Sequence, residues 1–576
     1  MSESAPLSPP APWLAHYGPG VPASVEHAPR CLHELLGDAV RRHPEREALV
    51  FAVPAVGRLV TSSITFRRLG YLVERFAASL QRLGVREGDR VAISLPNCPQ
   101  FVIALLGAAR AGAIAVPFNP LYSAREVGYQ LLDSGATTMV VLDRFLPLVR
   151  TTRHGPRLER VIVTSIKEHF PLPLRLFYTL TREIREQPPR AGAGELRFRD
   201  LLGPGGPPAP IAITEEATAV LLYTGGTTGV SKGVELTHRN LVVNAEQNRA
   251  WAGVGDGVDR TLVALPLFHA FGLTCGLNLG LLAGATQILA PNPRDTRGLV
   301  ATIHRLRPTI FPVVPTLLVG IASLPDLARF DLGSIRVCPC AGSPLAPAVQ
   351  RAFTERTGVK VSEGYGLTEA GPVTHGNPPF GEIRPGTVGL PYPGTLARIV
   401  DLETGSSELF FDGEWSRPGE LLVSGPQVMK GYWNRLEETA LQVRDGWLHT
   451  GDIAQMHRDG YFRIVDRLKD MIIRGGLNIY PAEVEAVIAE HPEVLEALVV
   501  GIPDPSLGEL VKAFVVPRPG ASLTAERLLA FCRENLAKYK VPTAVEFRAE
   551  LVRSAVGKPL RRALREEFAV PAGNPR

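Results

Sequence analysis

Cysteine is scarce in this chain of 576 residues, which has only Cys31, Cys98, Cys275, Cys338, Cys340 and Cys532. Six scattered thiols exclude a disulfide framework, and Cys338-Pro-Cys340 has neither the spacing nor the partner pair of a zinc knuckle. This usage implies a reducing cytoplasm. Charge of one sign is also in short supply. A net charge of +5 leaves no electrostatic footprint for nucleic acid, and no basic–aromatic reader motif is present. No apolar run approaches the ~18 residues that a membrane span needs. The N-terminus lacks the basic-then-apolar pattern of a secretory signal. What is there is an ordinary globular composition, 45% hydrophobic and 21% charged, with 56 glycines and 51 prolines spread over many turns.

A chain this long exceeds a single core, so two or more domains are expected. Residues 1–30 are rich in Pro, Ala and Ser and read as a poorly ordered segment. Between 31 and 466, short β-like runs such as Val91-Ala-Ile-Ser-Leu, Met139-Val-Val-Leu and Leu262-Val-Ala-Leu alternate with helical patterns such as Phe101 to Arg110. That alternation indicates parallel α/β packing. Ile335-Arg-Val-Cys338 also reads as a strand. From about 380 the pattern turns to Gly-punctuated β segments: Gly386-Thr-Val-Gly-Leu, Ala397-Arg-Ile-Val and Gly419 to Gly425. Residues 467–576 read as a small α/β domain. It has a helix from Pro481, strands near Leu495 and Val511, and a second helix from about Thr524. The expected fold is therefore a large multi-subdomain α/β domain followed by a small one. Residues 165–186 interleave basic residues with Leu, Phe and Tyr. They read as a packed surface insertion or as a membrane-surface helix.

The most informative stretch runs from Leu221 to Val234, L-L-Y-T-G-G-T-T-G-V-S-K-G-V. A buried-strand pattern feeds a loop from Thr224 to Lys232 with three glycines, four hydroxyl residues and one lysine. Close backbone approach, N–H groups, hydroxyls and an ammonium suit a phosphate chain. It is not a kinase-type P-loop, because Ser231 precedes Lys232 and Gly233 follows it. By itself the loop reads equally as a Gly/Thr hairpin turn. Other unusual segments are Pro266-Leu-Phe-His-Ala-Phe-Gly272, Ala341-Gly-Ser-Pro344, Glu363-Gly-Tyr-Gly-Leu-Thr-Glu-Ala370, Asp445 to Asp452, Asp466-Arg-Leu-Lys-Asp470 and Ser554 to Arg562. In isolation Glu369 and Asp452 read as cap or turn carboxylates, and Met429 and Tyr432 as packing. Arg553, Arg561, Arg562 and Arg565 read as a solvated basic face.

In this order the segments resemble the signatures of the adenylate-forming superfamily, from about residue 31 to 567. The phosphate loop has Gly225 where that family usually has Ser, and Ser231 where it usually has Pro. This variant resembles bacterial long-chain fatty acyl-CoA synthetases. The resemblance implies that Thr224, Gly225, Gly226, Thr227, Thr228, Gly229 and Lys232 hold the phosphates of ATP. It implies that Thr368 meets the α-phosphate and that Glu369 holds Mg²⁺. Ala341, Gly342 and Ser343, with backbone at Gly364, Tyr365 and Gly366, would form the adenine pocket. Asp452 and Arg467 would take the ribose, and Lys558 would bridge substrate carboxylate and α-phosphate. His269, Phe271 and Gly366 would wall the acyl pocket, with His269 as wall or gate and not as a base. Lys469 would be the hinge about which the C-terminal domain rotates, bringing in Lys558 for adenylation and Gly475, Gly476 and Leu477 for CoA.

The implied activity is ATP-dependent ligation of a fatty acid to CoA through acyl-AMP, with Mg²⁺ as cofactor. The phosphate-loop variant, the opening Pro12 to Pro22 and the 165–186 insertion each resemble their counterparts in bacterial long-chain enzymes, and that resemblance implies long-chain acids. Partners would be small molecules and not nucleic acid. Weak membrane-surface association and a homodimer remain open at this stage. Alternatives are an aryl- or medium-chain acyl-CoA synthetase, an acyl-AMP ligase loading a carrier protein, and a non-catalytic nucleotide sensor.

Overall fold

The computed structural model describes residues 11–55, 58–152, 158–183, 188–189, 191–192, 194–224, 231–407, 409–474, 477–553 and 560–568. The chain divides into two compact units. One comprises Met1–Ala397, Val423–Leu448 and Asp459–Tyr461, and the other Arg398–Leu422, His449–Arg458 and Phe462–Arg576. The β-rich stretch after 397 is thus divided between the units, where the sequence suggested one cut at 466/467.

The first unit is built on an eight-stranded sheet. Its order is Gly431–Tyr432, Lys232–Thr237, Thr218–Thr224, Ile114–Pro117, Arg90–Ser94, Thr138–Leu142, Arg160–Thr164 and Glu195–Arg197. Strands from Thr218–Thr224 to Glu195–Arg197 run parallel, and the two at the other edge pair antiparallel. The helix Pro99–Arg110 is apolar nearly all round, and every residue but Arg110 is buried. Such a helix belongs inside a core. It packs with Leu35, Phe66, Phe76 and Phe198 in the largest apolar cluster. A second, four-stranded sheet joins Arg260–Val263, Thr286–Leu289, Glu47–Ala55 and Arg58–Thr65.

Three expectations need correction. Residues 11–30 are not a loose leader: Pro12–His16 forms a 3-10 turn, Trp13 is buried, and the Tyr17 hydroxyl donates to the Pro391 carbonyl at 2.6 Å. His27 lies between Glu215 (2.6 Å) and Glu246 (2.9 Å). Ile335 to Cys338 forms only an isolated bridge at Val337, and the strand is Pro339–Cys340. Of Gly386 to Leu390, only Leu390 pairs in a strand, Leu390–Pro391, because positive φ at Gly386 (79°) and Gly389 (82°) turns the chain. The 165–183 stretch, by contrast, is a packed insertion as the sequence suggests. Phe170 stacks on Phe51 at 5.7 Å and Leu174 is buried, while Leu172, Leu176, Phe177 and Leu180 are exposed.

Leu396–Val400, Gly419–Ser424, Trp447–Met456 and Phe462–Arg467 follow one another across one sheet, and all but residues 396–397, 423–424 and 447–448 of these strands fall in the second unit. A further sheet carries Val494–Asp504 and Gly508–Pro517 as a long antiparallel pair, with helices Pro481–Glu490 and Ala525–Asn535 on its core. All six cysteines are buried and unbridged. No helix among the described residues is long and apolar enough to cross a membrane.

Candidate active site

The flanks of the glycine-rich loop are an antiparallel pair in which Thr224 faces Lys232. Gly225, Gly226, Thr227, Thr228 and Gly229 lie outside the described residues. Ser231 closes the loop's base: its hydroxyl donates to the Thr224 carbonyl at 2.6 Å, a bond that proline could not make. The Ser231 carbonyl accepts from the Tyr129 hydroxyl at 2.7 Å.

Lys232 contacts two other segments, and one of them leads on to a third. Its ammonium pairs with the Glu438 carboxylate and stands 4.8 Å over the Tyr432 ring. The Tyr432 hydroxyl donates to Glu369 Oε1 at 2.9 Å. Burial, then the Glu369 anion, push that phenol well above its ordinary range. Tyr432 is buried in the core, as a packing residue should be, and it also links the lysine and the carboxylate assigned to phosphate and metal. Its partner Glu369 is 63 residues away, a separation at which no local pattern signals a contact.

Glu369 stands on the single 3-10 turn Thr368–Ala370, and its carbonyl accepts from Met429 N at 2.8 Å. The buried helix His238–Trp251 fixes this region. Asn240 Nδ2 donates to the carbonyls of Pro426 (2.9 Å) and Val428 (2.8 Å). Asn244 binds both backbone groups of Val373, donating to O at 2.8 Å and accepting from N at 3.1 Å. Gly366 lies so close to Pro372 that an added Cβ would stand 2.0 Å from its carbonyl oxygen.

The two walls assigned to adenine are braced by one side chain. Glu363 precedes Gly364, Tyr365 and Gly366 on the strand Ser362–Gly366, and its Oε1 accepts from Leu345 N at 3.0 Å. Leu345 follows the turn of Ala341, Gly342 (φ 88°) and Ser343. Glu363 is buried and Oε2 has no hydrogen-bond partner, so burial pushes the carboxyl up to about 8.

His269 follows the strand Arg260–Val263 and precedes the π-helix Gly272–Asn278. Gly272 is required there, since a Cβ would meet the Pro266 oxygen at 2.2 Å. Burial lowers His269 to about 4, so the imidazole is neutral. A cavity of about 30 Å³ lies under Gly364, lined by Trp251, Cys275, Leu279, Ile310 and Val337. It has room for about one water, not for an alkyl chain, and His269 and Phe271 do not line it.

In the second unit, Asp452 and Arg467 are cross-strand partners, with Arg467 Nε 3.0 Å from Asp452 Oδ1. Glu420 orients the turn before Asp452, accepting from Gly451 N at 3.1 Å and contacting His449 Nδ1 at 2.9 Å. Lys469 lies on the 3-10 turn Leu468–Asp470, and its carbonyl accepts from Arg565 Nη1 at 2.8 Å. Leu477 is half exposed and pairs with Arg474. Gly475, Gly476 and Lys558 lie outside the described residues. Among the described residues of the basic C-terminal run, Arg561 is paired rather than solvated, and Arg553, though exposed, also has an acidic partner. Arg561 meets Glu485 at 2.6 Å, Asp470 at 3.5 Å and Asp466 at 3.9 Å, and Arg553 reaches Glu496 at 2.5 Å.

Comparison with known proteins agrees with this layout. The chain is 41% identical over 568 residues to a long-chain-fatty-acid–CoA ligase of Bacillus subtilis (strain 168), covering 96% of this chain and 98% of that protein. It is 40% identical over 563 residues to a long-chain-fatty-acid–CoA ligase of Yersinia pestis, with the same coverages. Among solved structures, the anthranilate CoA ligase AuaEII in complex with anthranoyl-AMP superposes with a TM-score of 0.80 at 29% identity. That match covers 94% of this chain and 98% of AuaEII. The AMP-binding enzyme family matches residues 36–433, and its C-terminal domain matches residues 483–558. Together these matches take in the loop flanks, the Thr368–Ala370 turn and most of the second unit, and the chain therefore belongs to the AMP-binding enzyme family.

Proposed function

We propose that the protein is an ATP-dependent fatty acid–CoA ligase. It adenylates a long-chain carboxylate with release of pyrophosphate, then transfers the acyl group to CoA with release of AMP. The observation that carries this reading is the run Lys232–Tyr432–Glu369, which gathers a phosphate-type cation and a metal-type carboxylate around one tyrosine.

A carboxylate is already ionised at pH 7, so the first step needs positioning and charge cancellation rather than a base. Neutral His269 suits a pocket wall. Ala341 to Ser343 and the backbone of Gly364 to Gly366 receive adenine, and Asp452 with Arg467 the ribose. Thr368 meets the α-phosphate, Lys232 the outer phosphates, and Lys558 bridges carboxylate and α-phosphate. The donor set at Glu369 fits Mg²⁺. No group of three acid, histidine or cysteine side chains gathers among the described residues, and magnesium takes one or two carboxylates plus phosphate oxygens and water. When bound, the ion would offset negative charge on the phosphates. Residues 467–576 act as the mobile domain about Lys469, and Gly475, Gly476 and Leu477 serve the CoA step.

Pyrophosphate release over a panel of acids, with and without CoA, tests the reading. Activity should climb from about C8 to about C16 acids, at ~0.8 kcal/mol per buried CH₂, with little on acetate or benzoate. Thioester should form only with CoA. A maximum at benzoate would replace the long-chain assignment with an aryl one. Release without any thioester would replace CoA with a carrier protein. No release with any acid would leave a nucleotide sensor.

A further inference from the structure

Lys232 is held in two ways that the adenylation chemistry does not require. Its side chain is 15% exposed, and its ammonium is neutralised by Glu438 on the helix Leu436–Gln442. That helix is tied down: Thr439 Oγ1 accepts from Tyr432 N at 2.8 Å and donates to the Arg435 carbonyl at 2.8 Å. Arg435 contacts Glu438 at 3.4 Å and Asp133 at 3.1 Å, so Glu438 would keep a cationic neighbour if Lys232 left it. The Tyr432 ring lies under the ammonium while its hydroxyl holds Glu369. Triphosphate oxygens and the Glu438 carboxylate are rival anions for one cation, and a lysine ammonium is a rotatable point charge that can serve either.

We propose that Glu438 is the resident counter-ion of Lys232, displaced when the triphosphate enters and re-engaged when pyrophosphate leaves. In the same device Tyr432 is a positioning residue that keeps the ammonium and the Glu369 carboxylate in one register throughout. The inference rests on the assignment of Lys232 to the outer phosphates. It adds that the chain carries its own competitor for that site, which weakens ATP binding and speeds release of pyrophosphate.

Equilibrium binding to the full-length chain without acid, read by calorimetry, tests it. Glu438→Gln should bind ATP and pyrophosphate about two- to fivefold more tightly, the span of a partly exposed ion pair. AMP, which has no outer phosphates, should bind as before, and so should ATP to the exposed neighbour variant Glu437→Gln. ATP bound equally or more weakly by Glu438→Gln would overturn the counter-ion role. Tyr432→Phe keeps the ring and loses the bond to Glu369. It should bind ATP normally in EDTA and lose most of the gain that Mg²⁺ confers on the wild type. Retention of the full gain would overturn the positioning role. Lys232→Met separates the two levels. If it binds ATP as tightly as the wild type, the phosphate assignment itself fails. If it binds weakly while Glu438→Gln matches the wild type, only the counter-ion proposal fails.

Discussion

A carboxyl at position 363 carries a cost that depends on pH. Its anion is penalised by burial, which raises the group from 4.5 to about 8 in the folded chain. A raised folded value contributes stability that is complete below about 4.5 and is lost as pH climbs through about 8. At ~1.4 kcal/mol per unit, the loss is a few kcal/mol. Glu363→Gln keeps an acceptor for Leu345 N and cannot ionise. Urea melts at pH 5 and pH 8.5 should therefore show the wild type weakening relative to Glu363→Gln. Parallel behaviour of the two would mean that the carboxyl is relieved of its burial. Single residues were also where the sequence was least legible. Arg561 read as a solvated cation because its strongest partner, Glu485, lies 76 residues away. Tyr432 does pack in the core, and what no local pattern shows is its bond to Glu369, 63 residues away. Lys232, Glu369, Asp452 and Arg467 were singled out because motifs of fixed spacing carry them. The contacts between Asp452 and Arg467, and between Glu369 and Lys232 through Tyr432, came only with the fold.

Among the elements, the helix His238–Trp251 departs most from its composition. Asn240, Asn244, Gln247 and Asn248 would ordinarily face water, yet all four are buried and bonded to backbone carbonyls. Buried amides of this kind must find partners. Here the partners include the chain around Val373 and Val428, on either side of which Glu369 and Tyr432 stand. Asn244→Ala would leave the Val373 N–H and C=O without partners, at about 1–3 kcal/mol for each unsatisfied group. A drop of at least about 2 kcal/mol in urea-unfolding stability is expected. Asn244→Asp, which can still accept from Val373 N, should lose less than Asn244→Ala. Equal loss in both would show that the amide's donor is what matters. Strands such as Arg90–Ser94 and Thr138–Leu142 were legible because parallel-sheet interiors are continuous apolar runs. The β-rich stretch was read less accurately, since the positive φ of Gly386 and Gly389 breaks a run whose composition alone suggests extended chain.

At the scale of the whole molecule, the two-step cycle proposed above would turn on the segment from Asp466 to Asp470. Arg561 binds Asp466 and Asp470, and Arg565 binds the Lys469 carbonyl, so the C-terminal helix Arg561–Glu566 braces the assigned hinge. Proline fixes φ near roughly −65° and restricts the residue before it. Lys469→Pro should hinder the change of state while sparing both sets of site residues. Pyrophosphate release with fatty acid should persist, with acyl-AMP retained, while acyl-CoA formation falls by orders of magnitude. An unaltered rate of acyl-CoA formation would place the hinge elsewhere. One further property belongs to the chain as a whole. An enzyme that turns over a thiol must coexist with the oxidised, disulfide form of that thiol, which captures any accessible thiolate as a mixed disulfide. All six cysteines here are buried, and burial pushes Cys31 and Cys532 up to about 11, Cys98 and Cys338 up to about 12, and Cys275 and Cys340 higher still. The folded protein therefore offers the disulfide form of CoA no accessible nucleophilic sulfur with which to form a mixed disulfide.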